Sequence, residues 1–122
     1  MIQDFFRIES RRDGEGGECI FTVTLNPDSV IYQGHFPGYP VTPGVCSVEM
    51  VRECASLLAG HPLRITGVRK CRFSVLITPS EVRKLEVSLK MTAAGEGAYD
   101  VYGALRREGT DYVKIVMQAC HG

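Results

Sequence analysis

The hydrophobic pattern of this chain changes period along its length. From Cys19 to Leu25, apolar Phe21, Val23 and Leu25 alternate with Thr22 and Thr24, the period of two that marks a strand with one face buried. Leu85, Val87, Leu89 and Met91 repeat that alternation, and Tyr99 to Leu105 and Tyr112 to Ala119 read as two further strands. These last three runs are joined through Ala94-Gly95-Glu96-Gly97 and Arg107-Glu108-Gly109-Thr110, which have hairpin-loop composition, so an antiparallel meander is expected there. Between residues 44 and 59 the spacing is helical instead. Val45, Cys46, Val48, Met50, Val51, Cys54, Ala55, Leu57 and Leu58 leave one narrow polar stripe, Glu49, Arg52, Glu53 and Ser56, at about 100° per residue. Pro43-Gly44 opens the run and Gly60 and Pro62 stop it, which predicts a mostly buried helix over Gly44 to Ala59.

Length and composition fit a single domain over residues 1–122, since 44% hydrophobic residues can supply one core. Met1-Ile2-Gln3-Asp4-Phe5 has neither a basic n-region nor a sustained apolar stretch, and no transmembrane run follows, so a cytoplasmic location is expected. The five cysteines, at 19, 46, 54, 71 and 120, are odd in number and show no Cys-x-x-Cys spacing; they read as reduced, mostly buried thiols. A formal net charge of zero argues against nonspecific nucleic-acid binding, which needs a basic surplus. Charge is nonetheless concentrated locally, in Arg64, Arg69, Lys70 and Arg72, with Arg83 and Lys84 following. No His, Cys and carboxylate grouping has metal-ligand spacing and no glycine-rich phosphate motif occurs, so neither metal nor cofactor is expected.

The candidate chemistry sits just before and on the helix. Pro37, Pro40 and Pro43 stiffen residues 34–44 while Gly34, Gly38 and Gly44 permit sharp reversals, so His35 is expected to be held in place. Glu49 lies fourteen positions later on the polar stripe. Taken alone, a charged stripe on a helix simply faces water.

The loop changes that reading. Gly-His-Phe-Pro-Gly-x-Pro-x-x-Pro-Gly-Val from Gly34 to Val45, followed by an acid at Glu49, resembles the 3-hydroxyacyl-acyl carrier protein dehydratases of the FabA/FabZ type. Tyr32-Gln33 resembles that family's aromatic-Gln, and Val68-Arg69-Lys70-Cys71-Arg72-Phe73 resembles a later strand ending in basic-Phe, so the likeness covers about Asn26 to Met117. It implies an α+β hot-dog fold, an antiparallel sheet wrapped around one long central helix. It also implies the dehydration of a (3R)-3-hydroxyacyl-acyl carrier protein thioester to the trans-2-enoyl thioester, with no cofactor. The reaction needs a base for the C2 proton, an acid for the departing C3 hydroxyl and donors for the thioester carbonyl. By resemblance, His35 is the base and Glu49 the acid. The backbone amides of Gly44 and Val45, at the helix start, are free to bind the carbonyl oxygen, and Gly44 would let a substrate approach the backbone. In the family the two halves of a site come from opposite subunits, which implies a homodimer or higher homo-oligomer. Arg69, Lys70 and Arg72 would meet the acidic acyl carrier protein, against the plainer reading of a solvated strand face. Two alternatives stay open: a hot-dog acyl-thioester hydrolase, and a noncatalytic acyl-carrier-binding module.

Two departures from the family pattern stand out. Four residues after the acid the family usually has a glutamine that holds it, whereas this chain has Glu53. A second carboxylate one turn away should raise the pKa of one member of the pair and so tune the acid, with Arg52 opposing. The N-terminus lacks the family's His-Arg-x-Pro-Phe segment, with Phe5, Phe6 and Ile8 expected to pack in its place, which suggests a divergent member serving a specialised lipid or polyene cluster. Cys46, near the helix N-terminus, is a weaker candidate nucleophile whose thiol pKa would have to fall.

Overall fold

The computed structural model describes residues 5–32, 42–79 and 81–122. Among these residues the chain forms strands β1 (Phe6–Asp13) and β2 (Cys19–Leu25), helix α1 (Gly44–Ala59), and strands β3 (Leu63–Phe73), β4 (Lys84–Gly95), β5 (Ala98–Arg107) and β6 (Thr110–His121). The strands join in one six-stranded sheet of order β1-β2-β4-β5-β6-β3, each neighbouring pair antiparallel. One sheet around one helix is the α+β arrangement that the resemblance implies. The helix and β2 have the bounds that the pattern predicts, and β4, β5 and β6 form the expected meander.

Register explains why the sheet holds its helix. Cys19, Phe21 and Val23 of β2 lie opposite Leu89, Val87 and Leu85 of β4. Val87, Leu89 and Met91 lie in turn opposite Leu105, Gly103 and Val101 of β5, and these face Val113, Ile115 and Met117 of β6. Directly opposed residues share a sheet face, so the alternation of four strands adds up to one continuous apolar surface. Met50, Val51, Cys54 and Ala55 of α1 bury themselves in the same core. Each large side chain so buried contributes roughly 1.5–3 kcal/mol. Gly103 sits in the middle of this surface, where a Cβ would come 2.7 Å from Val51 Cγ1; the helix rests directly on the β5 backbone.

Two elements differ from the sequence pattern. β1 alternates only over Phe6-Arg7-Ile8-Glu9, where Phe6 and Ile8 are half-buried; as an outer strand it exposes every residue from Ser10 to Asp13. Phe5 is fully buried beside Phe6, as expected of the N-terminal aromatics. β3 starts five residues before Val68, and register shifts between Ile65 and Gly67 and between Val68 and Lys70 break its period of two. Of the cysteines, Cys19, Cys46 and Cys54 are buried, Cys71 is exposed and Cys120 lies between, all as free thiols. Among the described residues no helix is long and apolar enough to cross a membrane.

Candidate active site on the polar stripe of the helix

Helix α1 is punctuated at both ends. Pro43 is extended, with φ −60° and ψ 145°, and its carbonyl accepts from the amides of Cys46 and Ser47 at 3.0 and 3.3 Å. Gly44 and Val45 are thus the first two helical residues, whose N–H groups have no acceptor within the helix and sit at its positive end. At the other end Gly60 takes the left-handed conformation, φ 84°, and returns its N–H to Ser56 O at 3.0 Å. Gly44 has a second role: a Cβ there would meet Phe73 Cζ at 2.9 Å. The close approach that this glycine permits is taken by the ring at the end of β3, where sequence reasoning had reserved it for a substrate.

The polar stripe is an organised network. Arg52 donates to both oxygens of Glu49, Nε to Oε1 at 2.8 Å and Nη2 to Oε2 at 2.5 Å, and its Nη1 donates to Leu63 O at 3.0 Å. Ser56 Oγ accepts from Leu63 N–H at 3.0 Å and donates to Arg52 O at 2.9 Å. The stripe is therefore tied to the first residue of β3 twice. Glu49 and Arg52 side chains are only about one-fifth exposed, 22% and 20%, so this pair is more than a solvated surface bridge.

Glu53 differs from its neighbour. Its Oε2 is buried and has no hydrogen-bond partner among the described residues. Burial, and then the charge of Glu49, raise the Glu53 carboxyl above its ordinary range, with the Arg52 guanidinium pulling the other way. Glu53 lines an open pocket of about 600 Å³ with Arg52, Ser56, Leu57, His61 and Ile8 of β1.

The remaining predicted residues fall as follows. His35 lies outside the described residues, as do Gln33, Pro37 and Pro40. Both flanks of that segment are anchored: buried Tyr32 and Thr42 share a hydroxyl hydrogen bond of 2.9 Å, and Thr42 N–H donates to Ile77 O at 2.8 Å. Arg69, Lys70 and Arg72 are all exposed on β3, an outer strand of the sheet. Register puts Val68, Cys71 and Phe73 opposite buried Met117, Ile115 and Val113, on the core side of the sheet, yet Val68 and Phe73 are 49% and 52% exposed. Cys46 does not suit the role of nucleophile. It is buried, and burial together with the Glu49 charge pushes its thiol up, where a reactive thiolate needs the reverse.

Sequence reasoning placed Arg52 on the stripe but missed its grip on Glu49; the visible signal was the i, i+3 spacing of opposite charges. The ties to Leu63 and the pocket had no signal, because both depend on how β3 returns beside the helix.

A model of the ApeI dehydratase family matches residues 10–108. Among curated proteins, the chain is similar to the 3-hydroxyacyl-[acyl-carrier-protein] dehydratase FabZ of Alkaliphilus metalliredigens, 33% identical over 82% of this chain and 66% of the relative. It is similar to FabZ of Halalkalibacterium halodurans, 37% identical over 68% and 63% of the two chains, and to FabZ of Erythrobacter litoralis, 31% over 84% and 72%. The matched stretch thus spans slightly under two thirds of the Alkaliphilus and Halalkalibacterium proteins. The fold matches that of the dehydratase heterocomplex ApeI:P from Xenorhabdus doucetiae, with a TM-score of 0.71, 17% identity, and 94% and 97% of the two chains covered. A mutant thioesterase of Pseudomonas aeruginosa superimposes with a TM-score of 0.61 at 8% identity, over 90% and 78%. The architecture is accordingly the hot-dog fold that the sequence resemblance implied.

Proposed function

Because the chain belongs to the ApeI-like dehydratase family, we propose that it removes water from a (3R)-3-hydroxyacyl thioester carried on acyl carrier protein, giving the trans-2-enoyl thioester. His35 takes the C2 proton, the C3–O bond breaks, and the departing oxygen is protonated from the Glu49 side of the site. The free amides of Gly44 and Val45 hold the thioester carbonyl oxygen, where negative charge develops as the C2–H bond weakens.

One observation carries this reading. A partly exposed carboxyl group and two amides with no acceptor among the described residues lie toward the same end of one helix, with Glu49 four positions after Val45, about 6 Å along the axis. A carbonyl and a hydroxyl two carbons apart, each making a hydrogen bond, fit that span.

The assembly proposed is a homodimer, with His35 of one chain serving Glu49 of the other. The uncovered apolar side of β3, Val68 and Phe73 followed by exposed Val75 and Leu76, favours a second copy there. Arg69, Lys70 and Arg72 on the same strand offer the acidic carrier a basic surface. A cytoplasmic setting belongs to this same reading, since that is where acyl chains are elongated on such carriers.

The test supplies the protein with 3-hydroxyacyl and saturated acyl thioesters of the carrier and follows enoyl formation and free thiol. Enoyl product from the first, with no thiol from either, is expected. Thiol release without enoyl product would make the protein a hydrolase, and neither product would leave a binding module. Activity on carrier-bound substrate should fall with added salt, and a flat response would remove the basic residues from docking.

A further inference from the structure

We propose that Glu49 and Glu53 form a carboxyl pair sharing one exchangeable proton, seated on Glu53 at rest because Arg52 occupies both oxygens of Glu49. The inference rests on the dehydratase reading for its chemistry and on the geometry of the stripe for its assignment.

A carboxylate offers lone pairs on both oxygens and accepts a guanidinium at each; a carboxylic acid carries a hydrogen on one oxygen and makes a poorer partner for two parallel donors. The 2.8 and 2.5 Å bonds from Arg52 therefore favour Glu49 as the carboxylate member of the proposed pair. Arg52 is itself held by the Leu63 carbonyl, so the guanidinium is fixed from two sides. An acid for the leaving hydroxyl needs a proton, and this arrangement leaves Glu49 without one.

The proton has a place one helical turn away. Glu53 Oε2 is buried without a partner among the described residues, an arrangement costly for a charged oxygen and much less so for a protonated carboxyl. Glu49 and Arg52 face Glu53 from its own helix, the corner after the helix brings His61 to the same pocket, and β1 contributes only apolar Ile8. Side chains four apart on a helix are neighbours, with Cβ atoms about 5–6 Å apart. As the C3–O bond lengthens, the pair's proton passes through Glu49, the member at the reacting centre, to the departing oxygen, which leaves as water. The proton that His35 took from C2 returns to the pair, directly or by exchange through solvent, and the site is restored with protons in balance. Glu53 is thus a positioning residue for a proton, acting through Glu49. Arg52 decides which carboxyl holds it.

Removing Glu53 should expose the arrangement. Glu53→Gln restores the family's glutamine and is nearly isosteric, yet it leaves Glu49 gripped by Arg52 with no proton to share. The alkaline limb of kcat should move to lower pH, with activity at neutral pH falling on the order of tenfold or more, part of the 10²–10⁴ that a positioned acid supplies. Adding Arg52→Met, which keeps an apolar stem and removes the guanidinium, should return the limb toward the parent's position. Infrared titration gives a readout independent of substrate. The parent should show a protonated-carboxyl C=O band that persists above the ordinary carboxyl range and is missing in Glu53→Gln.

If the parent makes no enoyl product, the dehydratase reading fails, while the infrared band still decides where the proton sits. If the parent makes enoyl product and Glu53→Gln changes neither the pH profile nor the band, the shared proton is wrong and the dehydratase reading survives.

Discussion

Replacing Gly103 by alanine tests how the sheet seats helix α1. The added Cβ would lie 2.7 Å from Val51 Cγ1 and 3.3 Å from Leu89 Cδ2. Ordinary carbon–carbon contact is about 3.5–4.0 Å, so helix and strand must part by about 1 Å. Val51 is fully buried and, being β-branched, is stiff at χ1, so it cannot swing aside. Overpacking of this kind costs about 1–3 kcal/mol. Val51→Ala removes both Cγ atoms and on its own costs about 1.5–3 kcal/mol, two methyl groups at about 0.8 kcal/mol each plus the cavity left behind. In the double variant the new methyl fills part of that cavity. The pair should therefore be less destabilised than the sum of the single changes, by about 1–2 kcal/mol. Urea unfolding of all four proteins at one fixed concentration measures the cycle without confounding by self-association. Additivity within about 0.3–0.5 kcal/mol, or a neutral Gly103→Ala, would mean that the helix does not rest on the β5 backbone.

Two further predictions concern the β5–β6 hairpin. Glu108 has φ 51° and Gly109 φ 79°, the two positive values that a tight hairpin turn demands, and Glu108 is the only non-glycine residue with positive φ among the described residues. Glu108→Asn should raise stability by roughly 0.5–1 kcal/mol, read as a higher urea midpoint, because asparagine tolerates this conformation better. Asp111 accepts from Arg106 Nε at 2.7 Å, and that bond holds its carboxyl below the usual range. A depressed carboxyl contributes stability above its unfolded pKa and loses it as pH falls through the folded one. Asp111→Asn should thus cost less than about 1 kcal/mol at neutral pH, given the site's exposure, and nothing at strongly acid pH. A difference that grew on acidification would reverse the sign.

The helix was legible to the residue because its ends are set by local chemistry: Pro43 opens it and Gly60 closes it in the left-handed conformation. β2, β4, β5 and β6 were legible because one face of each is buried, which writes a period of two into the sequence. β1 was not, since both faces of its outer half are wet and burial leaves no mark. The first half of β3 was hidden by two register shifts that scramble its alternation. At the site, spacing put Glu49, Arg52 and Glu53 on one stripe but left open which carboxyl the arginine would take. That choice depends on Leu63, brought beside Arg52 only when β3 pairs with β6. The low-pKa thiol considered for Cys46 failed for a similar reason: the helix end was legible, whereas the depth of burial was not.

The most direct test of the account is the rate of enoyl formation from a 3-hydroxyacyl-acyl carrier protein by the parent, His35→Ala and Glu49→Gln proteins, with melting curves recorded alongside. His35→Ala should melt like the parent and Glu49→Gln somewhat lower, since it breaks the ion pair with Arg52. Both should stay folded at the assay temperature and lose at least about 10²-fold in kcat, the usual contribution of a positioned acid or base. A folded variant of either residue that keeps the parent's rate would contradict the assignment of this site.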